Sequence, residues 1–202
     1  YHCLNTENYI NVVVASKHPS FQWLSMKEAI NHCTKGIDTF KWCSNDDGNP
    51  DVVFASCGDT PNIEVIAAST ILREKLPKLK VRVVNVVDLM RLVSNDKHPH
   101  GLTNSEYNKL FTKDKPIIFA FHGYPNLIHE LTYNRDNQNM HVFGYMEEGT
   151  ITTPFDMRVQ NKIDRFNLVI SALKYVKIKG KEEVIKYCED MLKKHNTYIK
   201  KY

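Results

Sequence analysis

Polar residues crowd one short segment of this chain, residues 149–168, which reads GTITTPFDMRVQNKIDRFNL. Among its polar side chains, six are the candidates for a contact: Thr153, Asp156, Arg158, Asn161, Asp164 and Arg165. Thr153 before a proline is typical of a helix N-cap, and Asp156 is favourable in a first helical turn. On a helix, Asn161, Asp164 and Arg165 lie within one turn of each other and form a polar cluster. We therefore predict a capped helix whose remaining polar groups form a contact surface, for a protein before a substrate.

A second motif, CGDTP at residues 57–61, begins a helix directly after a predicted strand. Backbone N–H groups at such a point can bind a phosphate or carboxylate, but the charge of Asp59 opposes an anion there. Gly58 and Asp59, followed later by Asn85, also approach the spacing with which thiamine enzymes hold magnesium and diphosphate. Because Asn85 falls inside a predicted strand, the oxygen geometry that magnesium requires is not supplied. We predict no metal site at this motif.

Two positions at predicted strand ends are further candidates for chemistry. His122 ends a strand in FAFHGYP, where an imidazole can act as acid, base or hydrogen-bond donor. The alternative is a histidine whose hydrogen bonds are satisfied at a domain contact. Lys17, followed by His18, should project from the end of the first predicted strand, either as a cation for a substrate phosphate or as a solvated lysine. No GxSxG, glycine-rich phosphate loop or HExxH occurs in the sequence, so it lacks a self-contained catalytic set.

The elements that position these residues are short β-branched runs alternating with helical patterns. Five runs are predicted to be strands, at residues 9–16, 51–57, 81–87, 116–122 and 140–145. Helix starts lie between them: Ser25 with Glu28 fits the capping box, as does Thr103 with Glu106. Thr60 before a proline is predicted to cap another helix. The alternation predicts an α/β domain of three layers, a five-stranded, mainly parallel sheet with helices on both faces. Ligands of such sheets usually bind at the carboxyl ends of the strands.

Composition limits the class of protein. The 202 residues are 42% hydrophobic, enough for one domain with a sizeable core. The formal charge of +4 comes from a lysine-rich C-terminal stretch that is typical of a solvated helix face, and we expect no nucleic-acid binding. Five cysteines without a CxxC pair favour a reducing, cytoplasmic location, and no apolar run is long enough for a membrane span. The first residue is not methionine, so we expect a piece of a longer polypeptide.

Six stretches resemble, in order and along nearly the whole chain, the C-terminal region of phosphoketolases. They are INVVVASKHPSFQWL, KWCSND, FASCGDTPNIEVIAA, VRVVNVVDLMRL, FTKDKPIIFAFHGYPNLIHELTYNR and HVFGYMEEGTITTPFDMRVQNKIDRFNLVISAL. The resemblance implies that residues 1–202 are the third domain of a transketolase-like enzyme, cytoplasmic and dimeric. Such an enzyme is an aldehyde-lyase that uses thiamine diphosphate and magnesium. It cleaves xylulose 5-phosphate, and in many members fructose 6-phosphate, with inorganic phosphate to acetyl phosphate and an aldose phosphate.

The resemblance also implies a division of labour. The N-terminal and middle domains hold the cofactors across the dimer interface, whereas the third domain holds none, braces the dimer and borders the active site. Lys17 matches a family lysine that holds the sugar phosphate; family members commonly have glutamine at the position of His18. We expect His18 and His122 at the border of the active site, and the six polar residues of segment 149–168 at a domain or subunit contact. The alternative is an independent α/β module that binds a small anion near residues 58–61 or Lys17.

Overall fold

The structure is a computed structural model that describes residues 7, 10, 12–15, 19–147, 149 and 151–201. Its strands are β1 (Ile37–Thr39), β2 (Val52–Cys57), β3 (Val81–Val86), β4 (Ile117–Phe121) and β5 (Met140–Gly144). Its helices are α1 (Met26–Lys35), α2 (Asp59–Lys75), α3 (Asn104–Phe111), α4 (Pro125–Thr132), α5 (Pro154–Gln160), α6 (Arg165–Tyr175) and α7 (Lys181–Lys201). Two 3-10 turns, Lys41–Cys43 and Leu89–Leu92, flank β1 and β3.

The five strands form one sheet in the order β1-β3-β2-β4-β5. β2 pairs in parallel with β3 and β4, and β4 pairs in parallel with β5. Only β1, at one edge, runs antiparallel to its neighbour β3. The predicted α/β class, with a five-stranded and mainly parallel sheet, is confirmed.

Hydrophobic cores lie on both faces of the sheet, because successive side chains of a strand point in opposite directions. Phe54 of β2 belongs to the core that α2, α6 and α7 cover, with Leu72 and Leu168 among its members. Ala55, the next residue, belongs to the core under α3 and α4, with Phe111 and Ile128. The sheet is therefore the middle layer of three, and its strand ends are the surfaces left open.

The first predicted strand, at residues 9–16, is wrong in the part that the structure describes. Val12, Val13 and Val14 are in no strand, and they are 80%, 76% and 89% exposed. The fifth strand is instead β1, with the sequence IDT, which pairs with β3. The β-branched run has strand propensity, but a strand also needs a neighbour and a buried face, and the described part of the chain offers it neither.

The single helix predicted for segment 149–168 is also wrong, because α5 and α6 are separate. The predicted N-cap of α5 is confirmed: the Thr153 side chain accepts a hydrogen bond from the N–H of Asp156. The chain then turns through Lys162, which has φ +57°, and Asp164 caps a new helix. Its carboxylate accepts hydrogen bonds from the N–H groups of Phe166 and Asn167. An aspartate that satisfies two backbone donors favours a new helix start over continuation.

The other helix starts were partly predicted. The capping boxes at Ser25 and Thr103 are confirmed. Thr60 is not a cap, because α2 begins at Asp59, two residues before the start at Pro61 that a Thr60 cap predicts. Gly58 stands at the N-cap position with φ +104°, a conformation that favours glycine.

Candidate functional site

The carboxyl ends of β2, β4 and β5 bring three polar side chains together. Asp59 follows β2, His122 follows β4 and Tyr145 follows β5. His122 Nδ1 lies 3.4 Å from Asp59 Oδ1, and the rings of His122 and Tyr145 are in T-shaped contact with their centroids 5.0 Å apart. The His122 side chain is 41% exposed and that of Asp59 is 28% exposed. We call these three residues the strand-end cluster; they form an imidazole–carboxylate pair open to solvent at the edge where α/β sheets bind ligands.

Backbone hydrogen bonds continue from the sheet into the strand-end cluster. The N–H of His122 donates to the carbonyl of Cys57, and the N–H of Tyr145 donates to the carbonyl of Phe121. Gly58 lies against the imidazole so closely that a Cβ there would come within 2.5 Å of His122 Cβ. Any side chain at Gly58 would therefore displace the histidine. The position of the ring is set by the ends of the strands rather than by a long loop.

Ser20 links the segment before α1 to the strand-end cluster. Its Oγ lies 3.4 Å from Asp59 Oδ2. Ser20 follows Lys17 and His18 closely in the sequence, but both of these predicted site residues lie outside the described residues. Their assigned roles stay predictions.

The polar residues of segment 149–168 form two internal networks, of which the first surrounds Asp156. The Asp156 carboxylate accepts hydrogen bonds from Thr152 at 2.6 Å, from Gln160 at 2.6 Å and pairs with His195 Nε2 of α7 at 2.8 Å. The hydrogen bond from Thr152, together with those from His195 and Gln160, lowers the pKa of Asp156 below its ordinary value despite its burial. The network ties α7 to the start of α5.

The second network surrounds Glu64 of α2, which is fully buried. Its carboxylate accepts hydrogen bonds from Arg158 Nη1 at 2.7 Å, and from Arg165 Nε at 2.9 Å and Nη2 at 3.0 Å. The backbone N–H of Arg165 also donates to it at 2.8 Å. The hydrogen bonds to Glu64 raise the pKa of Arg165 above its ordinary value. One buried carboxylate thus fastens α5 and α6 to α2.

Asn161 and Asp164 are buried as well, and both bond within the domain. Asn161 exchanges hydrogen bonds with the backbone of Met146, in the loop after β5, at 3.1 and 3.0 Å. Asp164 is fully buried as the cap of α6, and burial raises its pKa. Their contact with a second domain or subunit stays a prediction, while their bonds inside this domain already account for both side chains.

The cofactor-like motif does not fit a magnesium and diphosphate site. The amide oxygen of Asn85 lies 2.9 Å from His32 Nε2, so it faces α1 rather than Asp59. Among the described residues, no group of three or more histidines, cysteines and carboxylates is arranged to hold a metal ion. We therefore derive no chemical step through thiamine diphosphate or magnesium from the residues of this domain.

Sequence reasoning missed three members of these sites. Asp59 was considered as an obstacle to an anion and as part of a rejected magnesium motif, whereas it pairs with His122. Glu64 and His195 were not singled out, although a carboxylate among the apolar residues of α2 was a signal of a buried partner. Their partners lie far away in the sequence, and only the fold brings them together.

Two further features concern the helices and the cysteines. None of the helices in the described ranges is long and apolar enough to cross a membrane. The four cysteines within the described residues, Cys33, Cys43, Cys57 and Cys188, are not joined in disulfides. Burial raises the pKa of the Cys57 and Cys188 thiols to about 12, so at neutral pH they are protonated and poorly reactive.

Solved structures share this fold at low sequence identity. A transketolase from Pichia stipitis matches 72% of this chain with a TM-score of 0.51 and 15% identity. The match covers 18% of that chain. At this identity the likeness shows the fold alone, an α/β architecture that this chain shares with part of the transketolase.

Sequence relatives are much closer. The "Probable phosphoketolase" of Clostridium acetobutylicum is 57% identical over 98% of this chain, and the "Probable phosphoketolase 1" of Rhizobium meliloti is 63% identical over 83% of it. This chain spans only 25% and 22% of those two relatives. The family model of the XFP C-terminal domain matches residues 17–202. The chain therefore belongs to the XFP C-terminal domain family, the C-terminal domains of phosphoketolases.

Proposed function

We propose that this domain is part of a thiamine diphosphate-dependent phosphoketolase, an aldehyde-lyase of the cytoplasm. The enzyme cleaves xylulose 5-phosphate, fructose 6-phosphate or both with inorganic phosphate, and it releases acetyl phosphate and an aldose phosphate. The observation that carries the proposal is the family match over residues 17–202, together with 57% identity to a named phosphoketolase. The remaining part of a chain about four times as long, judged from that relative, supplies the cofactor sites.

We assign to this domain a bracing role and a border of the active site, without catalysis by the domain alone. Its partners are the N-terminal and middle domains and the second subunit of a homodimer. The exposed Val12, Val13 and Val14 support this role, because neighbouring exposed apolar side chains are typical of a surface that a partner covers. The open strand-end cluster supports the position beside the substrate.

Lys17 is proposed to bind the phosphate group of the sugar phosphate. Ser20, which closely follows it in the sequence, contacts Asp59 of the strand-end cluster. We therefore propose that the carboxyl ends of the strands face the active site.

The test is acetyl phosphate formation from xylulose 5-phosphate and inorganic phosphate. We compare the full-length protein, its Lys17→Ala variant and the 202-residue chain alone, with Lys27→Ala, an exposed lysine of α1, as the matched control. We expect turnover by the full-length protein and none by the isolated chain. Lys17→Ala should raise the KM for xylulose 5-phosphate about tenfold or more with little change in kcat, because a charge-assisted hydrogen bond to phosphate is lost. An inactive full-length protein would contradict the assignment and favour the independent anion-binding module.

A further inference from the structure

We propose that His122 binds a phosphate dianion of the substrates through Nε2, and that Asp59 is the positioning residue that holds its ring. The inference rests on the proposed function, because it places this phosphate in the same active site. It adds to that function a phosphate contact made by the body of the domain, at the strand-end cluster.

The His122 ring is oriented with Nδ1 toward Asp59. Asp59 Oδ1 lies on the Nδ1 edge of His122, at 3.4 Å, and the Tyr145 ring packs edge-on against the imidazole. Among the described residues Nε2 has no hydrogen-bond partner, and the side chain is 41% exposed. The nitrogen that a ligand can reach is therefore Nε2, with the ring between that ligand and the carboxylate.

The domain holds the His122 ring in place before a ligand binds. The backbone of His122 is fixed by its hydrogen bond to Cys57, and Gly58 leaves the space that the imidazole fills. Asp59, the first residue of α2, accepts from Ser20 while it faces His122. Groups held in place by strand and helix ends lose little freedom on binding, which favours affinity.

The charges of the imidazole and of a phosphate dianion are complementary when the imidazole is protonated. Asp59 Oδ1 lies on the Nδ1 side of the ring, so an imidazolium at this position has Nε2–H as its remaining donor. The titratable side chains that contact the ring are Asp59 on α2 and Tyr145 after β5. A protonated imidazole with one free donor matches an oxygen of a phosphate dianion. This chemistry is shared by two reactants, the phosphate ester of the sugar and inorganic phosphate.

The experiment measures both KM values and kcat in the full-length protein for His122→Asn, Asp59→Asn and the double variant. His129→Asn, an exposed histidine of α4, is the matched control. We expect His122→Asn to raise one KM about tenfold while kcat changes by about twofold at most. A rise in the KM for xylulose 5-phosphate identifies the sugar phosphate as the ligand, and a rise in the KM for inorganic phosphate identifies the second reactant.

The double variant tests the positioning role of Asp59. Asp59→Asn should raise the same KM by a smaller factor, and in the His122→Asn background it should add nothing, because the two residues act as a unit. An additive effect would overturn the positioning role. Unchanged KM values for His122→Asn would overturn the phosphate contact; if that variant unfolds early, His122→Gln is judged by the same criterion.

Binding without turnover separates this inference from the proposed function. Isothermal titration calorimetry with inorganic phosphate and with xylulose 5-phosphate gives the affinities of the same proteins. A loss of affinity of about tenfold in His122→Asn supports the phosphate site even if the full-length protein makes no acetyl phosphate. Equal affinities of the variant and the parent for both ligands would refute the site while leaving phosphoketolase activity intact.

Discussion

At the scale of single residues, Glu64 is the most consequential side chain outside the strand-end cluster. Its side chain is completely buried, with 0% exposure, and both of its carboxylate oxygens accept hydrogen bonds from arginines. Arg158 and Arg165 come from different helices, so a single carboxylate balances two cations that would otherwise repel each other. Segment 149–168 is predicted from the sequence to be a docking surface, but two of its arginines, Arg158 and Arg165, pair with this carboxylate inside the domain.

Replacing Glu64 with glutamine tests this account. The change keeps the shape and leaves Arg158 and Arg165 without their counter-charge, so the domain should lose about 3 kcal/mol of unfolding free energy or more. Urea unfolding of the 202-residue chain, followed by the fluorescence of Trp23 and Trp42, measures it. Glu74→Gln, at an exposed site of the same helix, should change little. Equal stability of Glu64→Gln and the parent would contradict the role assigned to the buried carboxylate.

At the scale of elements, α7 contacts the rest of the domain at two places along its length. Its first half packs into the core through Val184 and Cys188. Its second half reaches α5 through the hydrogen bond between His195 Nε2 and the Asp156 carboxylate; the two side chains are 12% and 9% exposed. The second attachment is polar, so it depends on pH whereas the first does not.

The pKa of Asp156 in the folded domain is lowered by the Thr152 hydroxyl first, and by His195 and Gln160. The ionised carboxylate therefore stabilises the fold above the ordinary titration range of aspartate, about pH 4, and this contribution is lost as the pH falls through the lowered pKa. Asp156→Asn should cost about 1.5–3 kcal/mol at neutral pH, as for hydrogen bonds to a charged acceptor. The difference from the parent should shrink steadily below about pH 4. Urea midpoints across this range measure it.

Asp190→Asn, at an exposed position of α7, is the control for that series and should follow the parent at every pH. A gap between Asp156→Asn and the parent that stays constant into acid would show that the carboxylate charge is not what fastens α7.

At the scale of the whole molecule, the exposed run Val12–Val14 decides how the domain behaves alone and in a longer chain. Three neighbouring valines with 76–89% exposure have no buried face in this structure. In a longer protein, the run is suited to join a sheet of another domain, where its β-branched side chains would be covered.

Val13→Asp distinguishes the two settings. In the 202-residue chain the change should alter stability by no more than about 0.5 kcal/mol, because the Val13 side chain is 76% exposed. In the full-length protein it should weaken assembly, since a buried charge without a partner is costly. Sedimentation velocity and urea unfolding measure the two effects, with Val13→Thr as the β-branched control. Unchanged assembly of full-length Val13→Asp would mean that the run stays exposed there too.

Four of the five strands were predictable, because β2, β3, β4 and β5 are runs of five or six residues rich in β-branched, aromatic and other apolar side chains. β1 was not, since three residues of mixed polarity carry no periodic signal. The break between α5 and α6 had a local signal, the capping aspartate Asp164, that a continuous apolar stripe concealed. His122 was predictable from its place at a strand end, whereas its pairing with Asp59 depends on strands that are neighbours only in the folded sheet.

The position of β2 in the sheet also determines when the domain can fold during its own synthesis. β2 is the first of the parallel strands to be made, yet it lies at the centre and both of its neighbours come later in the chain. At ordinary rates of translation, the ribosome needs several seconds to advance from Cys57 to Phe121, the end of β4. Until β4 is made, the β4-facing edge of this largely apolar strand has no partner, and the opposite edge has none until β3 is made. We therefore expect nascent chains halted before β4 to be bound by chaperones far more than chains halted after β5.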